Sequence, residues 1–301
     1  MVNLYTHKDS NIRKTWLLIF SFLVLVIGLG WFFSYVWQSP VILYFAVALA
    51  FVMNFFAYWY SDKVALAMSH AHLAPREQYL ELHRLIENLS ITAGLPKPRI
   101  YIIPGSQLNA FAPGSDPEHS AVAVTEGALA KLNKTEHEGV LAHELSHIGN
   151  RDILISSVVV VLAGLIAILA DWFLRMMFWG SFGDRDNKSS GGALMLVLVV
   201  VVAIMAPLVA TIIRLAVSRK REFLADASGA LLTRYPEGLA NALGKIANDE
   251  APMRQAHSGT AHLFIANPFK GKEGKSWFVK LFMTHPPVEE RIKILRGMDI
   301  K

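Results

Sequence analysis

The chain has 301 residues, 53% of them hydrophobic, and its mean hydropathy of +0.37 is too high for an ordinary soluble domain. Cysteine is absent, which excludes a disulfide framework and thiolate metal ligands, so any metal site must use His, Asp or Glu. The formal net charge of +5 does not indicate a nucleic-acid-binding protein, because the basic residues cluster beside apolar runs, as charges that flank membrane spans do.

Two uncharged runs near the N-terminus are long enough to cross a bilayer. The first, residues 16–37, would span about 30 Å as a helix, which matches the hydrocarbon thickness of a membrane. No small-residue cleavage site follows it, so we expect an anchor and not a removed signal peptide. The second run, residues 41–60, begins after a short turn and ends in three aromatic residues, which are typical of a membrane interface. Residues 1–60 are therefore predicted to form a transmembrane hairpin.

Residues 61–152 are soluble in character and contain patterns of both helices and strands. Apolar residues at helical spacing indicate helices, and short runs of alternating small and branched residues indicate strands. The predicted elements are, in chain order, a helix from Tyr79 that Gly94 and Pro96 end, a strand over residues 99–103, a loop over 105–118, a strand over 121–125, a helix over 126–132 and a helix that carries His143.

The last of these helices carries the pattern HExxH, formed by His143, Glu144 and His147. Residues four apart share one face of a helix, so the two imidazoles can bind a single metal ion. Glu144 can then act as general base towards water, as in zinc peptidases. Thr135 and Glu138 predict a capping box at the start of the helix. The alternative is a chance pattern on an ordinary helix.

Two further apolar runs, residues 153–172 and 193–213, predict a second membrane hairpin over residues 153–215. A buried hydrophobic hairpin that does not cross the membrane is the alternative. The remaining residues, 216–301, are soluble in character and predicted to be mostly helical. The fold class predicted is therefore mostly α with a small β-sheet, in an integral membrane protein with about four transmembrane helices.

The distribution of Lys and Arg predicts the orientation in the membrane. The turn between the first two runs carries no basic residue, whereas the N-terminus and the segments that follow residues 60 and 213 carry many. The positive-inside rule places these basic segments in the cytoplasm. Both soluble segments, and with them the HExxH helix, are therefore expected to face the cytoplasm.

A catalytic zinc ion takes a third protein ligand and leaves one position open. No His follows His147 at the metzincin spacing. Glu222 and Asp226 share one helical face, so Glu222 is the best candidate ligand, and Asp226 can accept a hydrogen bond from a ring nitrogen of a ligand His. The spacing fits a solvated charged helix equally well.

Five motifs in order extend the pattern over nearly the whole chain. They are Asn109-Ala-Phe-Ala112, Val122-Ala-Val-Thr125-Glu-Gly127, His143-Glu-Leu-Ser-His147 with Asn150 and Asp152, Arg221-Glu-Phe-Leu-Ala-Asp226, and Thr284-His-Pro286 with Arg291-Ile292. Together they resemble the HtpX group of membrane zinc endopeptidases, relatives of the CaaX prenyl proteases. The resemblance implies a cytoplasmic, gluzincin-like zinc peptidase domain, one zinc ion held by His143, His147 and Glu222, and roles in the turnover of membrane or misfolded proteins.

The resemblance also organises the chain into four parts. The peptidase domain is expected in two segments, residues 61–152 with the edge strand and the HExxH helix, and residues 216–301 with the third ligand and the C-terminal helices. The membrane hairpins 1–60 and 153–215 precede and interrupt it. Partners implied are protein or peptide substrates, the lipid bilayer and other membrane quality-control proteases, in the inner (cytoplasmic) membrane.

Substrate and transition-state contacts complete the prediction. An extended substrate would pair with a strand edge, and residues 121–125 are expected to provide it, although a plain core strand fits as well. The catalytic residues predicted beside Glu144 and Asp226 are His285, as donor to the oxyanion, and Arg291, near it in sequence. For His285 the alternative is a residue that starts a helix before Pro286. The candidate substrate-binding residues are Asn109, Ala110, Val122, Ala123 and Val124.

Three functions compete on these residues. The first is a membrane zinc endopeptidase that hydrolyses misfolded or damaged membrane and cytoplasmic proteins under stress. The second is a prenyl-protein processing protease, whose relatives have more membrane spans. The third is a non-enzymatic membrane scaffold with a structural metal, which is disfavoured because structural zinc takes four protein ligands and cysteine is absent.

Overall fold

The computed structural model describes residues 4–162, 219–249, 251, 263–265 and 286–298, with side chains from residue 9 onwards. This part of the chain is mostly helical and contains one small mixed sheet, as predicted. The fourth apolar run, the end of the third and His285 lie outside the described residues.

Two long helices form the N-terminal hairpin. Helix α1 is Leu4–Val36 and α2 is Pro40–Trp59, and both are long and apolar enough to cross a membrane. They pack along each other, with Gly30 of α1 directly against Ala46 of α2. Large apolar side chains such as Phe20 remain mostly exposed on the outside of the pair, where lipid would cover them. The hairpin is as predicted, except that α1 begins in the polar N-terminal residues.

Seven short elements follow between the hairpin and the HExxH helix. Gly94 ends the longest helix in a left-handed conformation with φ 65°, which a residue without Cβ adopts easily. The elements are helix α3, Ser61–Met68, strand β1, His72–Leu73, helix α4, Leu80–Ala93, strand β2, Arg99–Ile103, strand β3, Ala110–Phe111, strand β4, Ala121–Thr125, and helix α5, Glu126–Lys131.

The sheet has the strand order β1-β2-β4-β3. Strand β4 pairs in parallel with β2 and antiparallel with β3, and all five of its residues are buried. The expectation that residues 121–125 form an edge was therefore wrong, because both sides of β4 are paired. The edge strands are β1 and β3, and β3 is a two-residue strand inside the predicted loop that is too short to show an alternating pattern.

Helix α6, Lys134–Gly149, carries the HExxH pattern. Its capping box is formed by Asn133 and Glu136, not by Thr135 and Glu138 as predicted. The Asn133 side chain accepts from the Glu136 backbone N–H at 3.0 Å, and Glu136 accepts from the Asn133 backbone N–H at 2.8 Å. Asparagine is as good an N-cap as threonine, so the helix starts one residue before Thr135.

Four further helices complete the described structure. Helix α6 packs against α8 and α9, with the sheet and α4 also in its core, and α7 joins the apolar contact of α1 and α2. Helix α7 leaves α6 at an angle of 86°. The helices are α7, Asp152–Leu162, α8, Arg219–Thr233, α9, Pro236–Asn248, and α10, Val288–Arg296.

Candidate metal centre and active site

The crossing of α6 and α8 brings three metal-ligating side chains together. Gly229 of α8 lies on the backbone of His143, so the two helices approach closely at this point. Glu222 lies about two turns before Gly229 on α8, and the ligand atoms of His143, His147 and Glu222 all lie within 4.8 Å of one another. His143 and Glu222 are buried and His147 is partly buried. The spacing within α6 supplies two of these groups, and the packing of α8 supplies the third.

Each histidine is oriented by a carboxylate behind it. His143 Nδ1 lies 2.9 Å from Asp226 Oδ1, and His147 Nδ1 lies 3.1 Å from Asp152 Oδ2. A neutral imidazole that donates from Nδ1 carries its lone pair on Nε2. Assigned in this way from their partners, both histidines turn a lone pair towards the centre of the site.

The donor set fits a metal ion. The two Nε2 atoms face each other at 3.2 Å, and Glu222 oxygens lie 3.8 Å from His143 Nε2 and 3.6 Å from His147 Nε2. Two imidazole lone pairs and a carboxylate repel one another at these distances unless a cation lies between them. Two neutral histidines and a carboxylate, each histidine held by an acidic partner, form a ligand set suited to catalytic zinc.

A buried ion pair holds the far side of His143. Asp226 accepts two hydrogen bonds from Arg291, from Nε at 2.8 Å and from Nη2 at 2.7 Å. Burial alone would raise the pKa of Asp226, but the charge and hydrogen bonds of Arg291 and the bond from His143 outweigh it and lower the pKa to about 2. Asp226 is therefore a carboxylate at any working pH and remains a charged partner 2.9 Å from His143 Nδ1.

The acidic surroundings favour positive charge at His147. Burial lowers its pKa, but the hydrogen bond to Asp152 and the nearby charge of Glu222 outweigh burial and raise the pKa to about 9. The same field that attracts a proton attracts a metal cation, so the two compete for Nε2.

Glu144 lies beside the ligand set and is only 2% exposed. Burial raises its pKa, and the electrostatic influence of His143, His147 and Arg291 acts against that shift. A carboxyl with a raised pKa can both take up and return a proton near neutral pH. Glu144 therefore has the environment of a general acid–base group.

The predicted substrate residues divide into two groups. Asn109 and Ala110 lie at the β3 edge, whereas Val122, Ala123 and Val124 lie in the interior strand β4. The Ala110 carbonyl points away from β4 and accepts from the Ile265 backbone N–H at 3.2 Å. The outward carbonyl of β3 is thus bonded to Ile265 in this structure, and Ala110 itself is fully buried.

Arg291 is fully buried, and its guanidinium faces the ligand set. Besides its bonds to Asp226, it donates from Nη1 to the Ile265 carbonyl at 3.1 Å, and Nη2 lies 3.4 Å from His143 Nε2. This arrangement makes it a support of Asp226 in addition to a positive charge near the centre. His285, the other predicted donor, lies outside the described residues.

Two residues of the site went without a predicted role. Asp152 stood in the matched motif, but its bond to His147 was not foreseen, because it follows the helix and depends on the bend before α7. Ile265 had no signal at all, since the surrounding loop contains no motif. Ile265 acquires its position from its contact with Ala110, which is distant in sequence, whereas Asp152 reaches His147, five residues before it, across the bend.

Residues 76–299 match the family model described as Peptidase family M48, which is well over half of the chain. The chain belongs to peptidase family M48. Its M48 relatives include "Protease HtpX homolog" proteins of Caldanaerobacter subterraneus subsp. tengcongensis, 46% identical with 99% of this chain and 98% of the relative covered, and of Pyrococcus furiosus, 46% identical with 94% and 95% covered. This M48 chain is thus a membrane metalloprotease that acts on protein or peptide substrates, and the resemblance drawn from the motifs is confirmed.

A solved structure also resembles this M48 chain. The crystal structure of S. mikatae Ste24p superposes with a TM-score of 0.52 at 18% identity, covering 97% of this chain and 67% of that one. At this identity the likeness concerns the fold alone.

Proposed function

We propose that this M48 chain is a zinc-dependent endopeptidase of the inner (cytoplasmic) membrane, which cleaves misfolded or damaged membrane and cytoplasmic proteins. The observation that carries the proposal is the cluster of His143, His147 and Glu222, in which both histidines turn Nε2 inwards because a carboxylate occupies Nδ1. A set of three ligands leaves a position for water, as a catalytic zinc site requires.

Within this proposal the chain has the four-part organisation expected from its motifs. Residues 1–60 and 153–215 are membrane hairpins, and residues 61–152 and 216–301 form one peptidase domain. Support comes from the described contacts, since α8 packs on α6 although about 70 residues separate them along the chain. A membrane hairpin that returns to the side it left would allow this packing.

His143, His147 and Glu222 would hold the zinc ion, which would supply Lewis acidity towards a peptide carbonyl and towards water near neutral pH. Glu144 accepts a proton from the attacking water at a carboxylate oxygen and later delivers it to the leaving amine nitrogen. Asp226 and Asp152 hold the ring protons of His143 and His147 on Nδ1. Arg291 keeps Asp226 charged and places a positive charge where negative charge develops on the substrate oxygen.

The substrate chain is proposed to lie along β3, with Ala110 accepting from a substrate amide and Asn109 beside it. Backbone pairing of this kind is independent of side-chain sequence, which suits a protease that cleaves unfolded chains. Strand β4, which contains Val122, Ala123 and Val124, would have an indirect role, because its pairing with β3 holds β3 in place. The Ile265 amide donates to the Ala110 carbonyl in this structure, and this hydrogen bond would have to break before a substrate amide could take its place.

The test uses full-length protein purified in detergent, as wild type and as Glu144→Gln. We expect the wild type to bind one zinc ion and to cleave casein, and a chelator to abolish cleavage. Glu144→Gln should bind zinc equally well and lose at least about 10³-fold in cleavage rate, because it lacks the proton acceptor but keeps the ligands. Near-wild-type cleavage by this variant would contradict the assignment.

A farnesylated peptide, compared with its unmodified form, separates the proposed function from prenyl-protein processing. The proposed enzyme should cleave both peptides at similar rates. Cleavage of the farnesylated peptide alone would support the prenyl-processing alternative. A protein that holds zinc but cleaves neither peptide nor casein would contradict both functions.

A further inference from the structure

The polar start of the first membrane helix is buried against the catalytic domain. Asn11 and Thr15 of α1 are only 3% and 1% exposed. A helix that served only as an anchor would place polar residues before the membrane in water, where they need no partner in the protein. Here instead an amide side chain is removed from water, and it has specific partners.

Both partners of Asn11 lie at the end of the HExxH helix. Its Nδ2 donates to Asp152 Oδ1 at 2.6 Å and to the Asn150 carbonyl at 3.2 Å. Between these two acceptors, Arg151 has φ 58°, a conformation that L-residues with side chains rarely adopt. Asn11 therefore bridges the two sides of the sharp bend at which α6 ends and α7 begins.

The two oxygens of Asp152 serve different donors. Oδ1 accepts from Asn11, and Oδ2 accepts from His147 Nδ1 at 3.1 Å. The Arg221 guanidinium also approaches this carboxylate, with its Nε 3.9 Å from Oδ1. The bond from Asn11, at 2.6 Å, holds Oδ1 directly and so helps to fix the rotation of the Asp152 carboxylate.

We propose that Asn11 is a positioning residue for the metal ligand His147, acting through Asp152. This inference rests on the proposed function, because it takes His147 to be a metal ligand. The amide holds Oδ1, the opposite oxygen is thereby aimed at Nδ1 of His147, and the imidazole presents Nε2 to the centre of the site. The first membrane helix then contributes to metal binding as well as to anchoring.

The test measures zinc affinity, by competition with a chelator of known affinity, in full-length protein in detergent. Asn11→Leu keeps the branched shape of the side chain and removes the donor. It should weaken zinc binding by about tenfold, the lower end of the range for groups that support a metal ligand. The matched control is Thr15→Val, one turn along α1, which removes a buried hydroxyl that bonds only the Asn11 carbonyl of the same helix. It should leave the zinc affinity within about twofold of wild type, whereas the effect of Asn11→Leu should be several times larger.

A purely packing role for Asn11 predicts a different result. In that case the metal-free protein with Asn11→Leu would unfold at a lower temperature, while its zinc affinity equalled that of the wild type, and this result would overturn the inference. Should Asn11→Leu not fold, Asn11→Ala removes the same donor without adding bulk at the bend and is measured in its place.

Two further variants separate this inference from the proposed function. In an Asp152→Ala background, Asn11→Leu should cause no additional loss of zinc affinity, because its route to His147 is already absent. An additive loss would show that Asn11 acts elsewhere and would overturn the inference. His147→Ala should lose stoichiometric zinc. If it binds zinc as the wild type does, the ligand assignment itself fails, independently of the result at Asn11.

Discussion

Gly229 of α8 lies so close to His143 of α6 that a Cβ at position 229 would stand 2.9 Å from the His143 backbone nitrogen. Real Cβ contacts are longer, so the two helices can cross at this distance only because residue 229 lacks a side chain. The same crossing places Glu222 near the Nε2 atoms of His143 and His147, and Asp226 near Nδ1 of His143. Gly229, which has no side chain, therefore determines how closely α6 and α8 cross, and with it the geometry of the metal centre.

Gly229→Ala is expected to push α8 away from α6 and to destabilise the protein by about 1–3 kcal/mol, as overpacking of a tight contact does. It should also weaken zinc binding, because Glu222 moves with α8. Zinc affinity and thermal unfolding measure the two effects. The control is Gly244→Ala on α9, where a Cβ would lie 3.9 Å from Ile292 and should be accommodated. Equal behaviour of both variants would argue against the proposed role of the crossing.

Removal of Arg291 should leave Asp226 as a buried charge without its strongest partner. Arg291→Met is expected to lower the free energy of unfolding by about 3–5 kcal/mol. Adding Asp226→Asn should restore part of this loss, since the buried charge is then also removed. Arg296→Met on the same helix breaks an exposed pair with Glu237 and should cost less than about 1 kcal/mol. Denaturant unfolding in detergent compares the variants, and similar losses for both arginines would refute the argument.

Glu222 and Asp226 should differ when each is truncated. Glu222→Ala is expected to purify without stoichiometric zinc, because a ligand is gone. Asp226→Ala should retain a site with about 10–100-fold lower affinity, because His143 loses only the partner of its Nδ1. Metal analysis and chelator competition distinguish the two. Full zinc occupancy in Glu222→Ala, with activity retained, would move the third ligand elsewhere.

The orientation in the membrane can be tested at two positions of the chain. The contact of Asn11 with Asp152 brings the basic start of α1 and the end of the HExxH helix to one side of the hairpin. By the positive-inside rule we expect this side to face the cytoplasm. A reporter enzyme that is active only outside the cytoplasm should be inactive when fused after Lys301 and active when inserted at Gln38, in the turn between α1 and α2. The reverse pattern would refute the proposed orientation.

Local sequence patterns predicted the parts of the site that lie within a single helix or strand. The interval between His143 and His147 matches the helical repeat, so a shared face followed directly from the sequence. The strands β2 and β4 and the C-cap at Gly94 were also predicted with their observed bounds, because their signals lie within a few neighbouring residues. The pair Glu222 and Asp226 was recognisable by spacing, but the spacing alone suited a solvated surface helix as well.

Competition between similar local signals explains the error at the start of α6. Both Asn133 and Thr135 can cap a helix, and each is followed three residues later by Glu. Asn133 and Glu136 form the capping box, and Glu136 also accepts a hydrogen bond from Nζ of Lys245 on α9 at 2.7 Å. This contact comes from a distant part of the chain, so the residues around Asn133 do not predict it. It is made by the capping box that starts the helix earlier.

The sequence by itself determined the chemistry of this protein: an HExxH helix, a ligand set without cysteine, and apolar runs long enough to anchor it in a membrane. Only the tertiary structure decided the position of β4 inside the sheet, the approach of Ile265 to Ala110, and the hydrogen bonds that Asp152 accepts from Asn11 and His147. The physical reason is that periodicity and capping act over a few residues, whereas strand order and buried polar contacts join residues up to 155 positions apart, whose pairing depends on how the helices pack.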